Sequence, residues 1–188
     1  VDVRDGEIMF GLNMVVHKGK TIFVGDTSVH EYPTSEQMVE IAISAARVVR
    51  LFGFEPKVAF VSHSTFGQPL TSRTKHIRTA VDILKEKKVD FEFDGDMQPD
   101  VALNPEYEDL YPFSNIVGKA NILIMPGQHS AAISYKMMKT LGDTKVIGPL
   151  LIGLGLPIEI APLRSSTSEI INLASIAAYS ADVINYNK

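Results

Sequence analysis

Cysteine is absent from the 188 residues. Its absence excludes a disulfide scaffold, a zinc ribbon and a thiol nucleophile together, and it fits a reducing compartment. Positive charge is also in short supply. Eighteen Lys and Arg stand against 22 Asp and Glu, a formal net charge of −4, which argues against a broad basic face for nucleic acid. Long hydrophobic runs are missing as well. The longest uncharged apolar stretch, Val146 to Ile158, is broken by Gly and Pro and falls short of the ~20 residues a bilayer span needs. The opening residues Val1 to Glu7 are charged and lack the apolar core of a signal peptide. What is present is ordinary globular composition, 45% hydrophobic and 21% charged with 13 Gly and 10 Pro, in a chain about one domain long. The expectation is a single soluble, cytoplasmic domain over residues 1–188, with neither nucleic acid nor membrane as partner.

Strand-like and helix-like segments alternate. Met9 to His17 and Thr21 to Gly25, joined by Lys18-Gly19-Lys20, read as a hairpin. A helix then opens at Pro33-Thr34, where Thr34 and Gln37 have capping-box spacing. Met38, Ile41, Ala42, Ala45, Val48, Val49 and Phe52 recur at helical period, and Gly53 stands at the C-terminal cap. Lys57 to Ser62 reads as a buried strand, and Ser72 to Lys88 as a helix striped by Ile77, Ala80, Val81 and Leu84. Further strands are expected at Phe91–Asp94, Asn121–Met125, Lys145–Ile152 and Ile158–Ala161, with a helix near Ser130–Leu141. Ser166 and Glu169 make a second capping box. It opens a last helix with Ile170, Leu173, Ala174, Ala177, Ala181 and Ile184 on one face. This alternation predicts an α/β fold, a mainly parallel sheet with helices on both faces.

One loop is placed for chemistry. Ser62-His63-Ser64-Thr65-Phe66-Gly67 leaves a buried strand and leads into a helix that starts near Arg73. Hydroxyls, backbone amides and a helix N-terminus form an anion cradle. Arg73, Lys75 and Arg78 oppose the helix dipole unless an anion is bound. The segment reads equally as a polar turn capped by Ser72 with solvated basic residues. Arg164 beside Ser165-Ser166 offers a weaker anion contact. Asp94, Asp96 and Asp100 lack calcium-loop spacing and read as solvated charges or helix caps. The five histidines show no metal-ligand pairing, and no glycine-rich nucleotide motif is complete.

The segments also form an ordered set. It comprises Asp26 to Phe54 with Pro33-Thr34-Ser35-Glu36-Gln37, the Ser62–Gly67 loop, and Asp94-Gly95-Asp96-Met97-Gln98 with Asp100–Leu103. Gly118-Lys119-Ala120-Asn121 with Pro126, Ile147-Gly148-Pro149 with Gly153, and Ile170–Leu173 complete it. Together these resemble the C-terminal half of phosphate acetyltransferase, and more closely the matching tail of bacterial hybrid NADP-dependent malic enzymes, over about Leu12 to Asp182. The resemblance implies an isocitrate/isopropylmalate dehydrogenase-like fold in two lobes. This chain would be mainly the second lobe, with the first lobe and a malic enzyme catalytic portion upstream.

Where the transferase family has Ser-Arg-Gly before its last helix, this chain reads Pro162-Leu163-Arg164. Leu156 stands where a lysine is common and Ala132 where an asparagine is common. The groups associated with catalysis are therefore missing, and no catalytic residue is expected here. The resemblance implies a regulatory and oligomerising tail that binds acetyl-CoA as effector, with Ser62, His63, Ser64, Thr65, Arg73, Arg164 and Ser166 as ligand-binding residues. NADP and a divalent metal would belong to the malic enzyme portion, and the assembly would be a homodimer or larger homo-oligomer. An active phosphate acetyltransferase, moving acetyl between coenzyme A and phosphate, is the alternative.

Overall fold

The computed structural model describes residues 1–186. It holds β1 (Phe10–His17), β2 (Lys20–Gly25), α1 (Ser35–Leu51), β3 (Lys57–Val61), α2 (Ser72–Lys87), β4 (Glu92–Met97), α3 (Pro99–Leu103), β5 (Ile122–Ile124), α4 (Gln128–Leu141), β6 (Thr144–Ile152) and α5 (Thr167–Tyr186), with a 3-10 turn over Pro105–Leu110. The strands form one sheet in the order β4-β3-β5-β2-β1-β6. Pairings β3·β4, β3·β5 and β2·β5 are parallel, whereas β1 is antiparallel to both β2 and β6. Five strands therefore run one way and only β1 runs back. The hairpin is as expected, and the sheet is mainly parallel as expected, with β1 the reversed strand.

Side chains alternate across the pleat, so the sheet buries two faces. Phe23, Val58, Phe60, Ile122 and Ile124 face one core with Met38, Ile41, Val49 of α1 and Ile77, Leu84 of α2. Val24, Ala59, Val61 and Leu123 face the other with Ala102 of α3 and Ala131 of α4. Phe10, Phe23 and Phe60 are completely buried, each worth about 1.5–3 kcal/mol of transfer free energy. Phe23 also stacks on Phe52 at 6.0 Å and meets Phe54 edge-on at 5.7 Å, pinning the end of α1 to the sheet.

The helix ends obey their local signals. Thr34 and Gln37 form the capping box at α1, and the Gly53 amide closes that helix on the Arg50 carbonyl at 2.9 Å with φ +82°. Two expected elements differ. Ile158–Ala161 makes only one isolated bridge, Glu159 to Leu150; Pro157 and Pro162 bracket it and limit ladder donors. In α5, Leu173 is buried and Ile176 packs on the core, while Ile170 and Ala174 are exposed. The stripe facing the protein is thus narrower and rotated from the one expected. The side chain of Ile184 lies outside the described residues.

Candidate functional site

The C-terminal ends of β2, β3, β4 and β5 share one edge of the sheet, the edge at which parallel α/β folds take ligands. Buried carboxylates organise two of the loops there. After β2, Asp26 is almost completely buried. Its Oδ1 accepts the amides of Gly11 at 2.8 Å, Ser28 at 2.8 Å and Val29 at 3.2 Å. Its Oδ2 accepts both the His30 amide and His30 Nδ1–H at 2.7 Å. This contact fixes the orientation of the ring, with Nδ1 toward the carboxylate and Nε2 on the far side. Thr27 donates to Asn13 Oδ1 at 2.8 Å, and the buried Asn13 Nδ2 has no partner among the described residues. The start of α4 closes this loop, the Gln128 amide donating to His30 O at 3.0 Å and its side chain to Ser28 O at 3.2 Å.

The Ser62–Gly67 loop folds over the end of β4, where Asp96 is fully buried. The Ser64 hydroxyl donates to Asp96 Oδ2, and the Gly67 amide donates to Oδ1 at 3.0 Å. Thr65 Oγ1 accepts the Gln98 amide at 3.2 Å, and Ser62 Oγ accepts the Ser64 amide at 3.3 Å. Part of the cradle thus holds the chain's own carboxylate. His63 alone stands exposed. Arg78 donates to the Phe66 carbonyl at 3.1 Å, so it braces the loop from α2. Asp94 is also buried; it accepts the Gly95 amide at 2.9 Å and the Asn115 amide at 2.7 Å. The expectation of solvated acids therefore fails for Asp94 and Asp96, because the loops from β3 and before β5 cover the end of β4. Asp100 remains exposed in the first turn of α3.

Thr71, not Ser72, caps α2, with φ −125° and ψ 171° and a capping box to Thr74. The first turn of α2 holds no acid, and Arg73 lies over the Tyr32 ring at 5.1 Å. Both residues line a crevice of about 370 Å³ between the starts of α1 and α2, with Pro33, Ser72, His76 and Pro126. His76 fastens its floor, pairing with Ser35 Oγ and with the Pro33 carbonyl, each at 2.9 Å.

The segment before α5 sits elsewhere. Pro162, Ser165 and Glu169 line a small cavity of about 50 Å³ with Tyr135, Lys139 and the Ile147–Pro149 stretch of β6. Ser166 caps α5: its hydroxyl accepts the Glu169 amide at 3.2 Å, and its own amide donates to Glu169 Oε2 at 2.7 Å. Lys139 Nζ donates to Glu169 Oε1 at 2.8 Å. The lysine first, and then Ser166, hold the Glu169 carboxyl down at about 2. Arg164 and Leu163 are exposed. Between β3 and β6 lie four strand spacings, about 19 Å. Ser62–Thr65 and Arg73 therefore cluster at one side of the sheet, and Arg164 with Ser166 at the other. The sequence reading missed Asp26, His30, Asn13 and His76. The i, i+4 spacing of Asp26 and His30 was the one available signal, and it lies in a loop where helical spacing carries no meaning.

Comparison with known proteins agrees with this architecture. The phosphate acetyl/butaryl transferase family matches residues 2–178. An NADP-dependent malic enzyme from Rhizobium meliloti is 45% identical over 96% of this chain, which spans 24% of that protein. A phosphate acetyltransferase from Bacillus subtilis is 34% identical over 89% of this chain, which spans 52% of it. Among solved structures, a phosphotransacetylase from Streptococcus pyogenes superposes with a TM-score of 0.90 at 30% identity, covering 96% of this chain and 56% of that one. The chain thus spans between a quarter and a little over half the length of these relatives. Among the described residues no helix is long and apolar enough to cross a membrane. The sheet order, the matched residues and these superpositions identify the chain as a member of the phosphate acetyl/butaryl transferase family.

Proposed function

We propose that the chain is a regulatory and oligomerising part of an NADP-dependent malic enzyme, binding acetyl-CoA without transferring its acetyl group. The parent protein on this reading decarboxylates malate oxidatively to pyruvate in the cytoplasm, as a homodimer or larger homo-oligomer. NADP and a divalent metal would be held outside this chain. The described residues would be the second lobe of a two-lobed, isocitrate/isopropylmalate dehydrogenase-like domain.

The observation that carries the reading is the state of Glu169. Attack by a coenzyme A thiolate needs a base near the working pH and a cation for the developing charge. Glu169, the carboxylate in the first turn of the last helix beside Pro162 and Leu163, is held at about 2 by Lys139 and Ser166, far below a thiol's ~8.5. Pro162 and Leu163 beside it supply neither proton acceptor nor charge. Binding survives such losses. The crevice under Arg73 suits the phosphate end of an extended nucleotide thioester, and Arg164 with the start of α5 suits the other end.

A second reading, an active phosphate acetyltransferase, is favoured by His30, whose imidazole Asp26 orients through Nδ1 at 2.7 Å. Isothermal titration of acetyl-CoA into the full-length protein, together with an acetyl phosphate to coenzyme A transfer assay, separates the two. Saturable binding without transfer, weakened about tenfold by Arg73→Glu, is the expected result. Transfer well above the uncatalysed rate, lost in His30→Ala, would establish the second reading instead.

A further inference from the structure

His76 lies near the start of α2 and lines the crevice of about 370 Å³ together with Arg73 and Tyr32. Its ring reaches the start of α1 at two points. Nε2 lies 2.9 Å from the Pro33 carbonyl, and Nδ1 lies 2.9 Å from Ser35 Oγ. Ser35 is buried, and its hydroxyl donates back to the His76 carbonyl at 2.9 Å. Three contacts therefore tie the two helix starts together where they border the crevice. The number of protons on the ring decides how many of them hold at once.

A carbonyl only accepts, so Nε2 carries a proton to meet Pro33. A serine hydroxyl has one proton to give. With that proton on the His76 carbonyl, Nδ1 must supply the proton of the remaining contact. All three hold together only when both ring nitrogens are protonated, which is the cationic imidazolium. In the neutral ring Nδ1 presents a lone pair. Ser35 must then turn its proton to Nδ1 and release the His76 carbonyl, or leave two lone pairs facing each other. His76 is exposed, so it exchanges protons with solvent. The charged neighbours are few. Arg73 of α2 and Tyr32 before α1 share the lining, and the loop before α4 adds only Pro126. Glu36 in the first turn of α1 is held below the usual carboxylate range by its own backbone amide, then by Thr34, and in smaller part by the His76 charge. It stays ionised wherever histidine titrates. His129 meets Glu31 at 3.5 Å outside that lining.

We propose that His76 is a proton-operated latch on the crevice: charged, it locks the starts of α1 and α2 and adds a cation beside Arg73, so that phosphate-bearing ligands bind more tightly in mild acid. The proposal rests on the reading that this crevice takes the phosphate end of the effector, and it assigns that site a regulation by pH. Histidine changes its charge between about pH 5 and pH 8. The cation and the third contact are present on the acid side of that range and are lost on the alkaline side.

Isothermal titration of the full-length protein with acetyl-CoA and, separately, with inorganic pyrophosphate tests the proposal near pH 6 and near pH 8. Each should bind about fivefold more tightly near pH 6. Phosphate groups gain negative charge as the pH rises, which alone favours the alkaline side, so a preference for acid reports a group on the protein. His76→Gln should lose the preference. Ser35→Ala, which keeps the ring and removes the partner of Nδ1, should narrow it and serves as the second variant if the first fails to fold. Wild-type binding that is equal at the two pH values or weaker in acid, or a preference unchanged in these variants, would overturn the proposal. Acetyl-CoA binding that ignores pH would sink the latch and leave the effector reading intact. Pyrophosphate binding with the acid preference, in the absence of acetyl-CoA binding, would refute the effector reading and uphold the latch. Binding of neither ligand would overturn both.

Discussion

Lys139 and Glu169 meet at 2.8 Å, and this ion pair joins α4 to the first turn of α5. The same carboxylate receives the Ser166 amide, so one acid both caps a helix and anchors it. Its pKa is depressed from the ordinary ~4.3 to about 2. The stability it contributes is therefore present above about pH 5 and is lost as the pH falls through about 2. Lys139→Met should lower the thermal midpoint at neutral pH, and the gap from wild type should close on acidification. A gap that stays constant in acid would remove the ion pair from the account.

Asp96 gives the β3 loop its shape. Ser64→Ala should leave Asp96 Oδ2 without its hydroxyl donor and cost about 1–3 kcal/mol in urea unfolding. Hydrogen exchange at the Gly67 amide, bound to the same carboxylate, should accelerate in parallel.

The helices and most strands were legible in the sequence because their signals are local. The capping boxes Thr34/Gln37 and Ser166/Glu169 each lie within four residues, and the apolar stripe of α1 repeats over four turns. The pairing of β1 with β6 and the burial of Asp94 and Asp96 were not legible. An acid in Asp94-Gly95-Asp96 looks solvated until residues 29 or more positions away, or from the next loop, fold over it. The Asp26–His30 pair was hidden for the same reason: its carboxylate is buried by Gly11, a neighbour supplied by strand pairing.

Asp26 satisfies five donors, so its loss should exceed that of Ser64. Asp26→Ala should destabilise by at least about 3 kcal/mol in denaturant unfolding. A cost no larger than that of an ordinary surface change would mean that this loop is not held by its carboxylate.

Glu159 gives the opposite pH dependence to Glu169. Its carboxyl is raised to about 7 by burial, so the protonated form is favoured in the folded chain. That contribution is fully present below about pH 4 and is lost as the pH rises through about 7. Wild-type stability should fall relative to Glu159→Gln between about pH 5 and about pH 8, read from thermal midpoints. Parallel curves would show that the acid is solvated.

The central claim is that a family pocket has kept its ligand and lost its chemistry. Initial rates of malate-dependent NADP reduction by the full-length protein, measured against increasing acetyl-CoA, test it most directly. A saturable fall in rate, shifted to higher acetyl-CoA by Arg73→Glu, is the predicted result. Rates that do not respond to acetyl-CoA at any concentration would contradict it.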